Sequence, residues 1–362
     1  MLVFVLWGCA DRPQAASVET DLYFPSDNAW ESVDAASVGW DQAALDETLE
    51  FAKAQRSSGV VILLNGRILA EEHWDVATDP AEVRNNFRAM TAGEDAHGRN
   101  IEDVASAQKS VIAFLAGVAE GKGQLDLAAP VSTYLSEGWS KASPEQEAAI
   151  SVRLLLSMAS GLSEGLEFAG PAGEVWMYNT PAYSKMGAVL EAATGKELNQ
   201  LTSDWITSKT GMGDSKWWDR PWAGAGAGNT IGFITSARDL ARFGLMILAG
   251  GEWAGEDLLG NPTYLGRALS ASTTMNESYG YLWWLNGGKT LGGGRNNTTS
   301  RPGPLIPAAP DDLVAAQGAL NRKCYVVPSL GLVVTRLGDN PPAAGKFNQE
   351  FWTRLMKAVP AD

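Results

Sequence analysis

Histidine is nearly absent from this chain: its 362 residues hold two, His73 and His97. Cysteine is as scarce, with Cys9 and Cys324 alone. These few ligands leave little for a zinc site. Both histidines precede Ser106 and Ser163, the two serines in nucleophile-like motifs below, which excludes a site running from either serine through an acid to a later histidine. Positive charge is also short. The 28 Lys and Arg against 42 Asp and Glu leave a net charge of −14 and a pI near 4.7. That balance argues against a nucleic-acid partner or an anionic membrane surface, and reads as a solubility feature. No apolar run is long enough to span a bilayer. Apolar bulk is what the chain does have. With 45% hydrophobic residues, this length buries a large core in two or three domains, or in one large domain with an insertion.

The first nine residues, Met1-Leu2-Val3-Phe4-Val5-Leu6-Trp7-Gly8-Cys9, form a short apolar stretch ending in cysteine. It is similar to the end of a bacterial lipoprotein export signal, with Cys9 as the lipidated residue, although the usual basic n-region is missing. An exported, periplasmic or membrane-anchored protein is expected on that reading, and a cytoplasmic one otherwise. Cys324 then has no partner and reads as a buried structural thiol in a strand.

Periodicity places elements along the rest. Residues 10–38 are polar and contain proline, and 42–56 read as an amphipathic helix. Residues 60–64 and 67–72 flank Asn65-Gly66, the strongest two-residue hairpin signal. The polar stretch 78–103 reads as irregular. A helix is expected from Ser106 to about Glu120, ending at Gly121 and Gly123. From there to about 246 helical periodicity dominates, most clearly over 180–193 and 235–249. Short strands return at 313–320, 323–327 and 332–337, and a closing helix at 346–359. Strands at both ends around a helical middle predict an α/β (α+β) fold, in which one sheet assembled from distant segments carries an inserted helical domain. The expected division is a lead-in at 1–38, an α/β sheet domain from 39–105 plus 286–362, and a mainly helical domain at 106–285, with the site at the junction.

Ser106 and Lys109 form the one S-x-x-K of the chain, at the start of a helix. Residues three apart on a helix are neighbours on one face, so the lysine amine reaches the serine hydroxyl. A serine hydroxyl is a poor nucleophile until an adjacent group takes its proton. Lysine does so when burial or a nearby cation brings its pKa toward neutrality. The helix start adds N–H groups and partial positive charge that suit a developing oxyanion. A serine cap and a solvated lysine explain the four letters alone equally well.

Several literal motifs point elsewhere. Gly161-Leu162-Ser163-Glu164-Gly165 matches G-x-S-x-G, but no strand feeds it and no histidine follows, so it reads as a turn. Lys209-Thr210-Gly211 reads as a helix end. Ser26-Asp27-Asn28 precedes the candidate nucleophile, in the wrong order for the motif it spells. The glycine-rich run 287–294 lacks the phosphate-loop spacing and reads as a flexible loop. Of the 14 tryptophans, Trp176, Trp217, Trp218, Trp222, Trp283 and Trp284 lie near the motif segments. Some suit an apolar acyl pocket.

With Ser106 to Lys109, the segments Ile150 to Leu162, Trp176-Met177-Tyr178-Asn179-Thr180, Asn229 to Gly244 and Tyr325 to Val334 follow one another in an order that resembles the serine β-lactamase and penicillin-recognising superfamily. The resemblance is to its class C-like branch, which includes carboxylesterases, D-amino-acid peptidases and 6-aminohexanoate-dimer hydrolases, and it covers about residues 40–358. It implies a β-lactamase/transpeptidase-like fold, with an antiparallel sheet flanked by helices. It also implies an acyl-enzyme on Ser106, with Lys109 and Tyr178 sharing the proton transfers in an order left open. Thr180 takes the place of the final Asn of the family's Y-x-N, as a substrate-binding residue. Ala316-Gln317-Gly318 stands where the family has K-T-G. Gly318 is then expected to let substrate approach the backbone, and the N–H of Ala319 to pair with that of Ser106 as the oxyanion hole. Without the Lys and Thr of that motif, ester or linear amide cleavage is expected ahead of penicillin hydrolysis. A β-lactamase or D-alanyl peptidase using the same residues is the alternative, and a non-catalytic acylatable binding protein or sensor is another. The resemblance implies a small-molecule ester, amide or short peptide as substrate. No metal or organic cofactor is implied, and the oligomeric state is not legible.

Overall fold

The computed structural model describes residues 22–26, 29–76, 85–223, 229–292 and 300–361. Cys9, Asp27, Asn28, residues 78–84 and the end of the glycine-rich run lie outside these. Among the described residues no helix is long and apolar enough to cross a membrane.

Asp41 opens helix α1 (Gln42–Ala54) by accepting the Ala44 N–H, a cap worth about 1 kcal/mol. Strand β1 (Ser57–Leu64) then runs into β2 (Arg67–His73) through Asn65 and Gly66, at φ 48° and 85°. Both left-handed residues are what a two-residue hairpin turn requires. The run at β1 is apolar without alternation because both of its faces are covered. Val61 and Leu63 enter one core, and Val60 and Ile62 enter the other.

The stretch 85–103, expected to be irregular, instead holds a short helical turn and the strands β3 (Thr91–Glu94) and β4 (Asn100–Asp103). Helix α2 (Gln108–Gly121) follows and is buried along almost its whole length. The helical region over 180–193 breaks at Ser184 into a single turn, Thr180–Tyr183, and helix α3 (Lys185–Thr194). Two strands also interrupt the helical middle, β5 (Lys216–Asp219) and β6 (Ile231–Thr235). With β3 and β4 they form a four-stranded antiparallel sheet in the order β3-β4-β6-β5. These strands escaped the sequence reading because each has four or five residues, too few to show a period of two above the surrounding helical pattern.

Helix α4 (Ala237–Leu248) is capped by Ser236 and leads to β7 (Trp284–Leu285). The glycine-rich run is not wholly loop, since Thr290–Gly292 pairs with Ser300–Pro302. Strands β8 (Val314–Gln317), β9 (Lys323–Val327) and β10 (Leu332–Gly338) complete a six-stranded antiparallel sheet in the order β2-β1-β10-β9-β8-β7. Helix α5 (Phe347–Ala358) closes the chain and packs with α1 on one face of this sheet. Helices α2 and α4 share the larger core on the opposite face. The fold is therefore the expected mixed α/β one, an antiparallel sheet flanked by helices. Cys324 sits in that larger core, where burial pushes its thiol up to about 12.

Candidate active site

The turn that carries Ser106, the candidate nucleophile, is built where β4 meets α2. Ala105 has φ 51°, a left-handed conformation costly for a residue with a Cβ. Its N–H is held by Asp103 Oδ1 at 2.8 Å. One residue on, Ser106 is half-buried, and Lys109 Nζ donates to its Oγ at 3.1 Å. Lys109 is 1% exposed. Its Nζ lies 5.0 Å from the ring centroid of Tyr178 and 4.4 Å from that of Tyr183. The structure thus brings together the three residues singled out from the sequence and adds Tyr183, whose buried hydroxyl is pushed up by desolvation, out of the range in which it would ionise.

Tyr178 is held by other aromatic rings. It stacks on Trp284 at 5.8 Å and 19°, and meets Tyr279 edge-on at 6.2 Å. Trp176 joins both, at 5.5 Å from Tyr279 and 6.4 Å from Trp284. Trp284 thus stands directly against Tyr178, and Trp176 is a buried residue packed against Trp284 and Tyr279. Trp217 and Trp283 are core residues, against Phe233 and Phe243. Trp218 donates to Asp103, and Trp222 is 46% exposed.

Asn179, between Tyr178 and Thr180, has a structural task. Its Oδ1 accepts the Ala182 N–H, and its Nδ2 donates to the carbonyls of Leu162 and Ser163. This pins the Tyr178 segment to the loop of the G-x-S-x-G match, whose Ser163 is bonded to Glu167. Thr180 follows, half-buried, as the first residue of the helical turn.

Strand β8 ends against the nucleophile turn. A Cβ on Gly318 would stand 2.0 Å from the Val104 carbonyl oxygen and 3.2 Å from the Ala107 nitrogen. The glycine thus lets the chain's own backbone pass close to Val104 and Ala107, on either side of Ser106. Ala319 follows, exposed, where a tight turn begins, with Leu320 and Asn321 at φ 60° and 58°. The side chain of Gln317 accepts from Lys323 Nζ at 2.7 Å. Ala316 is buried in the larger core.

Neither histidine belongs to this site. His73 is bound to Glu71 at 2.7 Å on β2, and His97 is an exposed loop residue. Lys209-Thr210-Gly211 ends a helical turn, with Gly211 left-handed at φ 72° and Lys209 paired to Glu256 at 2.7 Å. A cleft of about 260 Å³ opens beside the start of α2, and its lining includes Gln108, Leu166, Tyr183, Asn229, Thr230 and Ile231.

A family model described as Beta-lactamase matches residues 44–344, most of the chain. The chain belongs to the beta-lactamase family. No curated protein matches this family member, but solved structures do. A class C beta-lactamase in complex with cefoxitin is 13% identical, with 90% of this chain and 99% of that one covered and a TM-score of 0.62. A Bacillus anthracis protein assigned as a 6-aminohexanoate-dimer hydrolase is 15% identical, covering 92% and 89%, with a TM-score of 0.60. EstCE1, a hydrolase with promiscuous acyltransferase activity, is 14% identical, covering 86% and 98%, at 0.60. Identities this low establish the fold, and the family places the chain among hydrolases of the serine beta-lactamase fold.

The sequence reading missed Asp103, Arg220 and Gln108. Arg220 Nε and Nη2 donate to the two oxygens of Asp103 at 2.7 and 2.9 Å, and Nη2 also donates to Gln108 Oε1 at 3.0 Å. Arg322, fully buried against Glu102 at 2.8 Å, donates to the Asp103 carbonyl from the other side. Glu102 and Asp103 close a polar stretch, so nothing local set Asp103 apart.

Proposed function

We propose that this protein is a serine hydrolase that cleaves carboxylic esters or linear amides through an acyl-enzyme on Ser106. The observation that carries the reading is the 3.1 Å contact of Lys109 Nζ with Ser106 Oγ at a buried position. A neutral Lys109 accepts the hydroxyl proton as Oγ attacks the substrate carbonyl. The N–H groups of Ser106 and Ala319 receive the negative charge that develops on the carbonyl oxygen. Tyr178, close to the same amine, is the second proton handler and serves the leaving group. A water molecule then attacks the acyl-enzyme with the Lys109 and Tyr178 pair as base, which releases the acid and restores Ser106.

Two features favour a neutral ester or linear amide over a β-lactam. Ala316 offers no cation for a carboxylate at the position where the family carries lysine, and the wall next to Tyr178 consists of aromatic rings. The test is rapid-mixing hydrolysis of p-nitrophenyl butyrate with intact mass spectrometry of quenched samples. A product burst and an acyl adduct are expected in the wild type, both lost in Ser106→Ala. Equal activity in the two proteins would remove Ser106 from the mechanism. Turnover of nitrocefin at a rate similar to the ester would instead favour a β-lactam substrate.

A further inference from the structure

Asp103 and Arg220 are 117 residues apart and form a bidentate ion pair whose side chains are 0% and 3% exposed. Removing two charges from water costs more than their attraction returns unless the surrounding geometry uses them. Here each is used several times. Asp103 Oδ1 takes the Ala105 N–H at 2.8 Å, which fixes the left-handed residue immediately before Ser106, and Oδ2 also takes Trp218 Nε1 at 3.1 Å. Arg220 Nη1 donates to the Asn229 carbonyl at 3.1 Å. Gln108, bonded to Arg220, lies one residue before Lys109, and its Oε1 also accepts the Phe233 N–H at 3.1 Å. A single guanidinium thus connects the nucleophile turn to the 229–231 rim of the cleft. Trp222 covers its face at 5.3 Å.

We propose that Asp103 and Arg220 are positioning residues for the nucleophile. The carboxylate holds the Ala105 turn so that Ser106 Oγ keeps its place beside Lys109, and the guanidinium holds that turn in register with the cleft rim. The proposal rests on the reading of Ser106 as the nucleophile.

The two residues differ in what they touch, and this separates positioning from plain stability. Asp103 contacts the turn, whereas Arg220 contacts both the turn and the rim. The experiment measures burst rate, kcat and KM on p-nitrophenyl butyrate for wild type, Asp103→Asn and Arg220→Lys, with circular dichroism and Tm as folding controls. Leu45→Ala, a core truncation in α1 on the other face of the sheet, is the reference for stability loss alone. Asp103→Asn is expected to slow the burst by roughly 10- to 100-fold, the scale of a misplacement of about 1 Å, with KM within about twofold. Arg220→Lys is expected to slow it similarly and to raise KM as well. Leu45→Ala is expected to lose Tm and keep the wild-type burst rate. Trp222→Ala, at an exposed position that does not threaten the fold, is expected to slow the burst by about three- to tenfold.

Folded Asp103→Asn and Arg220→Lys with wild-type burst rates would overturn the proposal, as would a slowing that Leu45→Ala reproduces at equal loss of Tm. Should the two buried variants not fold, an unchanged burst in Trp222→Ala overturns it. An acyl adduct that survives in Ser106→Ala would mean the nucleophile reading has failed, and the positioning proposal with it. A Ser106 adduct formed equally fast in every folded variant removes the positioning proposal alone.

Discussion

Lys323 is a cation enclosed in the protein, 5% exposed, with its amine bonded to the amide oxygen of Gln317. Burial, with Arg336 adding like charge, lowers its pKa from 10.5 to about 7. Below pH 7 the amine is charged in both the folded and unfolded states, and folding must bury that charge. Between about 7 and 10.5 the unfolded chain binds the proton and the folded one does not, so this residue's contribution to stability improves as pH rises. Above 10.5 both states are neutral and the contribution is flat. Lys323→Met removes the titration. Urea unfolding of both proteins from pH 7 to 10 is expected to show the stability difference moving toward the wild type by up to about 1.4 kcal/mol per pH unit. Parallel pH profiles would show that Lys323 does not titrate in this window. The residue stands on β9 opposite Gln317, whose neighbour Gly318 abuts the turn that carries Ser106.

Among the elements, two helix glycines show how context reverses one substitution. In α4, a Cβ at Gly244 would stand 2.5 Å from Val333 Cγ1 and 2.8 Å from Cys324 Sγ, because the helix packs directly on β10 and β9. In α3, a Cβ at Gly187 would meet nothing closer than Leu198 Cδ2 at 3.6 Å. Alanine gains about 1 kcal/mol over glycine in a helix interior, and overpacking a core costs about 1–3 kcal/mol. Gly187→Ala is therefore expected to stabilise the protein by up to about 1 kcal/mol, and Gly244→Ala to destabilise it by about 1–2 kcal/mol, both read from denaturant midpoints at constant m-value. A stabilised Gly244→Ala would mean that the two strands yield around α4. The same contrast between pattern and packing explains which elements were legible. Helices α1, α2, α4 and α5 and the β1-β2 hairpin carry many residues in phase or a decisive turn. The strands β3 to β6 do not: Thr91–Glu94 includes a glycine and a carboxylate, and Lys216–Asp219 has a charge at each end. Their pairing with each other, not their own sequence, makes them strands.

Over the whole molecule, the site's visibility in sequence followed the distance between partners. Ser106 and Lys109 are three apart on one helix face, so spacing alone suggested their contact. Tyr178 and the β8 edge required a resemblance spanning most of the chain. The Asp103 and Arg220 pair, 117 residues apart, left no local signal, because only the four-stranded sheet brings the two segments together. This long-range assembly also bears on how the protein unfolds. The larger core includes Val61 and Leu63 of β1, Val326 of β9 and Val333 of β10 together with residues of α2, α3 and α4. The opposite core takes Val60 and Ile62 from the same β1 strand. Helices α2 and α4 cannot leave without exposing one face of the sheet, nor α1 and α5 without exposing the other, and β1 is packed into both cores. Chains of this length commonly unfold in stages, so the expectation here is specific: far-UV circular dichroism, tryptophan fluorescence and the capacity of Ser106 to acylate should be lost at one urea midpoint. Loss of acylation well before the dichroism would show that the junction around Ser106 opens as a separate unit, with the sheet and its outer helices still intact.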